Sequence, residues 1–153
     1  MRGRRTAVAG LVAVGALLAG LAAGYGVRGL DDPNTGCRVL DVIDGDTVRV
    51  RRCGVAEVVR LLCVDAPEKG QAGFEAAKAQ VEQLLAAGAV DLQGEREDGL
   101  LKRDVYGRLL AYVWADGVLV NVELVRAGHS PYYVKYGKGR HAGAFLNAAA
   151  DAR

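Results

Sequence analysis

Residues Val39–Val48, VLDVIDGDTV, constrain the fold more than any other stretch of the chain. An apolar run breaks into Asp44-Gly45-Asp46-Thr47 and then resumes as an alternating strand. Asp-Gly between two such runs predicts a hairpin, since Gly tolerates the positive φ of a tight turn. If Asp44, Gly45 and Asp46 form the loop, opposed residues have numbers summing to 90. Asp41 then faces Arg49, Val42 faces Val48 and Leu40 faces Val50, all sensible cross-strand pairs. The same register sets Cys37 opposite Cys53, within reach of a disulfide if the side chains share a face. Cys63, inside an apolar strand, reads as a buried thiol.

The rest of the chain extends this pattern. Strands are predicted at Cys37–Ile43, Thr47–Arg52 and Val55–Val64, the last closed by Asp65-Ala66-Pro67. From Phe74 the apolar spacing becomes helical (Phe74, Ala77, Val81, Leu84, Leu85) and ends at Gly88. Ala89–Gly94 is a fourth strand, Glu95–Asp104 a polar segment, and Leu109–Ala115 a fifth strand turning at Asp116-Gly117 into Val118–Val120. Asn121 is placed to cap a short helix ending at Gly128, and Lys138–Arg153 reads as a partly amphipathic helix. Three strands, a helix and two more strands fit a β-barrel with helices: a five-stranded Greek-key barrel of the OB type plus about three helices.

Before this domain, assigned to residues 37–153, stand an apolar segment and a linker at 29–36, GLDDPNTG. Arg2, Arg4 and Arg5 precede the uncharged stretch Thr6–Val27, whose 22 residues suffice to cross a bilayer as a helix. A basic start before an apolar run also describes an export signal, with Ala22-Ala23-Gly24 as small residues for cleavage. Residues 1–28 are therefore expected to be a signal peptide or a transmembrane anchor. Either one leaves the domain outside the cytoplasm, secreted or tethered to the membrane. The formal charge of +2 comes from this segment, which holds four arginines and no acid before residue 31. The remainder carries 16 basic and 18 acidic residues, a net −2, so any nucleic acid must be held by a local patch.

Three separated segments bring chemistry to this frame. Asp46 and Asp65 each stand at a strand end, where a short carboxylate projects past a barrel rim. Oxygen donors without a His/Cys cluster favour Ca²⁺ or Mg²⁺ over zinc. Glu68, just beyond Pro67, is placed to deprotonate a water. Arg60 lies in the apolar run Val58–Leu62 and needs an anion or acid to offset its burial. Arg108 follows Gly107, and two arginines aimed at one phosphate would neutralise charge on its oxygens. Their alternative is a pair of structural salt bridges, with Asp104 or Glu123 as partners. Tyr132, Tyr133 and Tyr136 cluster with Lys135 and Lys138, a combination that stacks bases while holding phosphates. Trp114 reads as core, and His129 and His141 receive no role.

Taken together, VIDGDTVRV (42–50), VRLLCVDAPE (59–68), GFEAAKAQ (73–80), DVYGRLLAYVWADG (104–117) and VNVELVRAG (120–128) resemble the staphylococcal-nuclease-like (thermonuclease) family. The likeness covers roughly residues 38–150. It implies the same OB barrel and a monomeric, sequence-nonspecific nuclease cutting single-stranded or frayed DNA and RNA to leave 3′-phosphate ends. By resemblance Asp46 and Asp65 ligate Ca²⁺ with the carbonyl of Ala66, Glu68 is the general base, and Arg60 and Arg108 bind phosphate. Tyr106 matches a substrate-contacting tyrosine; Tyr133 and Tyr136 both stand near the family's late tyrosines. Ala66 replaces the commoner threonine, the Lys69–Ala72 loop is short, and the final helix is expected to end early, at a cost in stability. The rival reading is an OB module that binds single strands without cutting, which has no use for Asp46, Asp65 and Glu68 together.

Overall fold

The computed structural model describes residues 34–152, and its first element is the predicted hairpin. β1 (Cys37–Asp44) and β2 (Thr47–Arg52) pair antiparallel across the two-residue turn Gly45-Asp46. Asp41 lies opposite Arg49 and Val42 opposite Val48, as the alternation requires. Irregularities at Leu40 and Ile43 then shift the pairing, so that Val39 faces Val50 and Asp44 faces Thr47. Each adds a residue to β1, bending the strand and leaving Leu40 and Ile43 both 37% exposed.

This shift corrects the cysteine pairing. With Arg38 opposite Arg51, Cys37 falls out of register with Cys53 and sits buried, paired with Val90 of the neighbouring strand. Cys53 lies exposed in the next turn at φ 48. The expected Cys37–Cys53 disulfide is not formed.

The chain continues through β3 (Val55–Leu61), α1 (Phe74–Leu84), β4 (Ala89–Gln93), β5 (Arg96–Glu97), β6 (Leu100–Leu101), β7 (Leu109–Ala115), β8 (Val118–Leu119), α2 (Val120–Arg126) and α3 (Ala142–Asp151). β2 pairs with β3, β3 runs parallel to β7, β7 is antiparallel to β4, and β4 returns to β1. These five strands close the OB barrel read from the sequence, with β8 flanking β7. Alternation fills its interior: Val48 and Val50 of β2, Val59 and Leu61 of β3, and Leu109, Ala111 and Val113 of β7 are all buried. The polar Glu95–Asp104 segment contains a small hairpin, β5–β6, turning on Asp98-Gly99 with both φ positive. That Asp-Gly is the same signal as at Asp44-Gly45, although its flanks are too polar for strands to be predicted.

Tertiary packing moves several boundaries. β3 ends at Leu61 rather than Val64; the chain turns through Leu62 and Cys63, the latter at φ 63. Cys63 is half-buried beside the Tyr112 hydroxyl, 3.5 Å away, not deep in a strand. α2 starts at Val120, and Asn121 does not cap it. Fully buried, Asn121 instead accepts from Val113 N–H (2.8 Å) and donates to the carbonyls of Leu62 (2.9 Å) and Ala111 (3.2 Å). Its amide thus knits α2 to β7 and to the turn that follows β3. α3 packs against α2 and enters the core through Phe145, 0% exposed and stacked on Tyr132 at 4.9 Å, a burial contributing about 2–3 kcal/mol. Trp114 is half-buried, and His141 packs edge-on against both Trp114 and Tyr112 while bonding Gln93 at 2.8 Å.

The last residues of the expected linker belong to the domain. Asn34, 1% exposed, accepts from Arg52 (2.8 Å) and its carbonyl accepts from Leu92 N–H (2.7 Å). The apolar segment and the start of the linker lie outside the described residues, among which no helix is long and apolar enough to cross a membrane.

Candidate active site

The site grows from the Gly45-Asp46 turn. Gly45 lacks the positive φ expected of it; a Cβ there would stand 2.7 Å from the Cβ atoms of both Ala66 and Ala77. The glycine is required because α1 and the Asp65–Pro67 segment press against the turn. That closeness lets Ala66 N–H donate to Asp46 Oδ2 at 2.7 Å, joining two acidic segments 20 residues apart.

Asp46 is 4% exposed. Its Oδ1 accepts from Thr47 Oγ1 (3.1 Å), and its own N–H donates to Asp44 Oδ1 (3.0 Å). Burial pushes its carboxyl up to about 6, against the pull of the Arg60 guanidinium and the Ala66 N–H. Arg60 stands on the outer, half-buried face of β3, opposite Thr47, while Val59 and Leu61 turn inward. One guanidinium nitrogen lies 2.8 Å from Asp46 Oδ2 and the other 3.2 Å from Asp65 Oδ1. The anion that Arg60 needs is therefore the pair of carboxylates named with it.

Asp65 is half-exposed at the rim, and its backbone N–H donates to Ser130 Oγ at 2.8 Å. Ser130, 5% exposed, donates in turn to Pro131 O at 2.8 Å. The sequence carries no signal for this residue, whose role comes from a contact across 65 positions. Glu68 is exposed, its backbone N–H held by Gln71 Oε1 at 2.8 Å. Among the described residues no three His, Cys, Asp or Glu side chains converge as a metal cage.

Arg108 enters from the start of β7, whose next residue Leu109 pairs with Val59 beside Arg60. Asp104 organises it. Its carboxylate accepts from the N–H groups of Tyr106 (3.0 Å) and Arg108 (2.9 Å) and from Arg108 Nε (2.7 Å). Burial acts to raise the Asp104 carboxyl, but the bonds from Arg108 and Tyr106 win and hold it below its usual value. The salt bridge weighed for Arg108 is thus present, whereas Glu123 pairs with Arg126. The Arg108 guanidinium also lies 5.5 Å from the centre of the Tyr106 ring, which is 81% exposed.

Tyr133 and Tyr136 meet edge-to-face at 6.1 Å, with Lys135 5.6 Å from the Tyr136 ring. Both tyrosines line a cavity of about 700 Å³ floored by Leu62, Leu110 and Tyr112, positions that continue the strands of Arg60 and Arg108.

A closed barrel of five strands with three helices, whose rim gathers carboxylates, arginines and tyrosines, defines a class: an OB-fold domain. The family model described as staphylococcal nuclease homologue matches residues 58–153, and the chain belongs to that family. An uncharacterized endonuclease of Escherichia coli O157:H7 is 38% identical over 100 residues, 65% of this chain and 61% of that protein. Endonuclease YncB of Bacillus subtilis (strain 168) is 38% identical over 92 residues, 56% of this chain and 42% of its own length. Thermonuclease of Staphylococcus intermedius is 38% identical over 96 residues, covering 59% and 55%. The chain thus spans about three fifths or less of these relatives.

Proposed function

We propose that the chain is a Ca²⁺-dependent, sequence-nonspecific nuclease that hydrolyses single-stranded or frayed DNA and RNA, leaving 3′-phosphate ends. The observation that carries this reading is Arg60 bridging the carboxylates of Asp46 and Asp65. The donor set suits a hard cation: both acids offer oxygen, the backbone carbonyl of Ala66 follows Asp65 in the chain, and burial makes the charge of Asp46 costly. When bound, Ca²⁺ would act as a Lewis acid toward the phosphate. Arg60 and Arg108 present charge-assisted donors to the phosphate oxygens, stabilising the charge that grows there. Glu68 orients and deprotonates the attacking water from its exposed position. Tyr106, Tyr133 and Tyr136 hold the neighbouring nucleotides. The Arg-led apolar segment 6–27 supports export of this domain, secreted or anchored.

The test is hydrolysis of single-stranded DNA by the purified chain with Ca²⁺ and then with excess chelator. Cleavage abolished by chelation, with 3′-phosphate ends, is the expected result. Glu68→Gln should lower turnover by roughly 10²–10⁴-fold with the fold intact. A folded protein that binds strands without cutting them would instead establish the non-catalytic OB module.

A further inference from the structure

Arg60 lies on β3, and Arg108 stands just before β7, the parallel neighbour of β3. Their spacing depends on what holds the turn that leads into β7. The β3–β7 ladder starts only at Val59–Leu109, one residue past Arg108. Val105 and Tyr106 are 93% and 81% exposed, and Gly107 is exposed as well, so apolar packing does not place the turn. Asp104 orders it from within, accepting bonds from Tyr106 and Arg108. Those bonds would travel with the turn if it swung away from β3.

Arg103 is what ties the turn to β3. Its Nη1 donates to the Gly107 carbonyl at 2.8 Å and to Glu57 Oε2 at 2.9 Å, and its Nη2 donates to Glu57 Oε1 at 2.7 Å. Glu57 stands two residues before Val59 on the strand that carries Arg60. The guanidinium therefore spans the two strands just ahead of their ladder and grips the peptide that leads into Arg108. An isolated surface ion pair contributes little. This one is bidentate, its carboxylate side chain is 16% exposed, and Arg52 approaches the same Oε1 at 3.8 Å. A planar fork with fixed bond directions supplies geometry that a point charge does not.

Resting on the nuclease reading, we infer that Arg103 is a positioning residue: clamped by Glu57, it fixes the Arg108 turn against β3 and so sets the separation of Arg108 from Arg60 at one phosphate. Its own guanidinium faces Glu57 and Gly107 rather than the strand being cut. Two donors aimed at charge that grows in the transition state must be correctly spaced. Loosening the clamp therefore lowers turnover more than it weakens substrate binding.

The test uses the full chain with Arg103→Met, Arg103→Lys and Glu57→Gln, and the first and last again with Arg108→Ala added. On single-stranded DNA with Ca²⁺, Arg103→Met and Glu57→Gln should each lower kcat roughly tenfold while KM stays within about threefold. Arg103→Lys, which keeps the charge and loses the fork, should fall between them and the parent. Beside Arg108→Ala neither substitution should lower the rate further, because both act through Arg108. Glu57→Gln separates positioning from direct contact, since it releases Arg103 as a free cation. A phosphate-binding Arg103 would then tighten oligonucleotide binding, read by anisotropy in chelator, and leave kcat unchanged; that result would overturn the inference. So would losses that multiply with that of Arg108→Ala. Backbone order from ¹⁵N relaxation is independent of cleavage: it should fall at Tyr106–Arg108 in both Arg103→Met and Glu57→Gln, and unchanged order would remove the clamp. A parent chain that cuts no DNA would end the nuclease reading, while the relaxation data would still decide whether Arg103 holds the turn.

Discussion

The guanidinium of Arg60 lies 2.8 Å from the buried carboxylate of Asp46. This pair joins the stability of the rim to its chemistry, since Asp46 without Arg60 is a buried charge with weaker compensation. Arg60→Ala should destabilise the domain by about 3 kcal/mol, read from the urea midpoint. Adding Asp46→Asn to that variant should recover part of the stability and none of the activity. Two losses that simply add would show that the pair is not the coupling.

Asp104 acts on phosphate only through Arg108, as a positioning residue. Asp104→Ala removes the acceptor for Arg108 Nε and for two backbone N–H groups. The expected outcome is a fall in kcat/KM of roughly 10²-fold from misplacement of the guanidinium. Asp104→Asn, which keeps an acceptor for the backbone, should restore loop order but only part of the rate. Equal rates for the two variants would remove the loop-ordering acceptor of Asp104 from the account and leave only its charge.

Gly45 and Gly54 separate two reasons for glycine. Gly45→Ala places a methyl 2.7 Å from Ala66 and Ala77 and should cost about 1–3 kcal/mol through overpacking. Replacing Ala77 with Gly in the same chain should relieve part of that loss. Gly54→Ala meets nothing within 4 Å, so its cost, about 1 kcal/mol, comes from φ +82 and responds to no second-site change. Melting temperatures of the three variants distinguish these cases.

Glu57 supplies a pH dependence. Arg103 donates to both its oxygens, at 2.7 and 2.9 Å, and these bonds together with Arg103 and Arg52 charge lower its carboxyl below 4.5. A carboxyl lowered in the folded state stabilises above its unfolded value, and that contribution disappears as pH falls through the lowered value. Glu57→Gln should therefore cost about 1 kcal/mol at pH 7, with the half-exposed Arg103 keeping the figure small. The difference from the parent should close as pH falls well below 4.5. A gap that persists at low pH would mean that shape rather than charge is responsible.

Much of this molecule can be read locally. The alternation in Thr47–Arg52, a hairpin turn around Gly45 and the helical spacing after Phe74 each depend on neighbours within a few residues, and all reappear in the fold. The acids and arginines of the rim were also legible, because carboxylates at turns and an arginine in an apolar run demand explanation wherever they occur. Less visible were Ser130 under Asp65, Asn121 between Leu62 and Ala111, and the Asp98-Gly99 hairpin. The first two are polar groups whose meaning lies in partners tens of residues away.

By itself the sequence determined the order of elements, the OB barrel they close into and the residue types at its rim, since these follow from periodicity and turn chemistry. The tertiary structure decided the geometry. The bulge at Leu40 moved Cys37 away from Cys53, and packing of α1 turned Gly45 from a conformational need into a steric one. Closure of β3 against β7 set Arg60 opposite Leu110, with Arg108 just before β7. Such outcomes depend on how strands twist and side chains compete for one space, which no local window of residues contains.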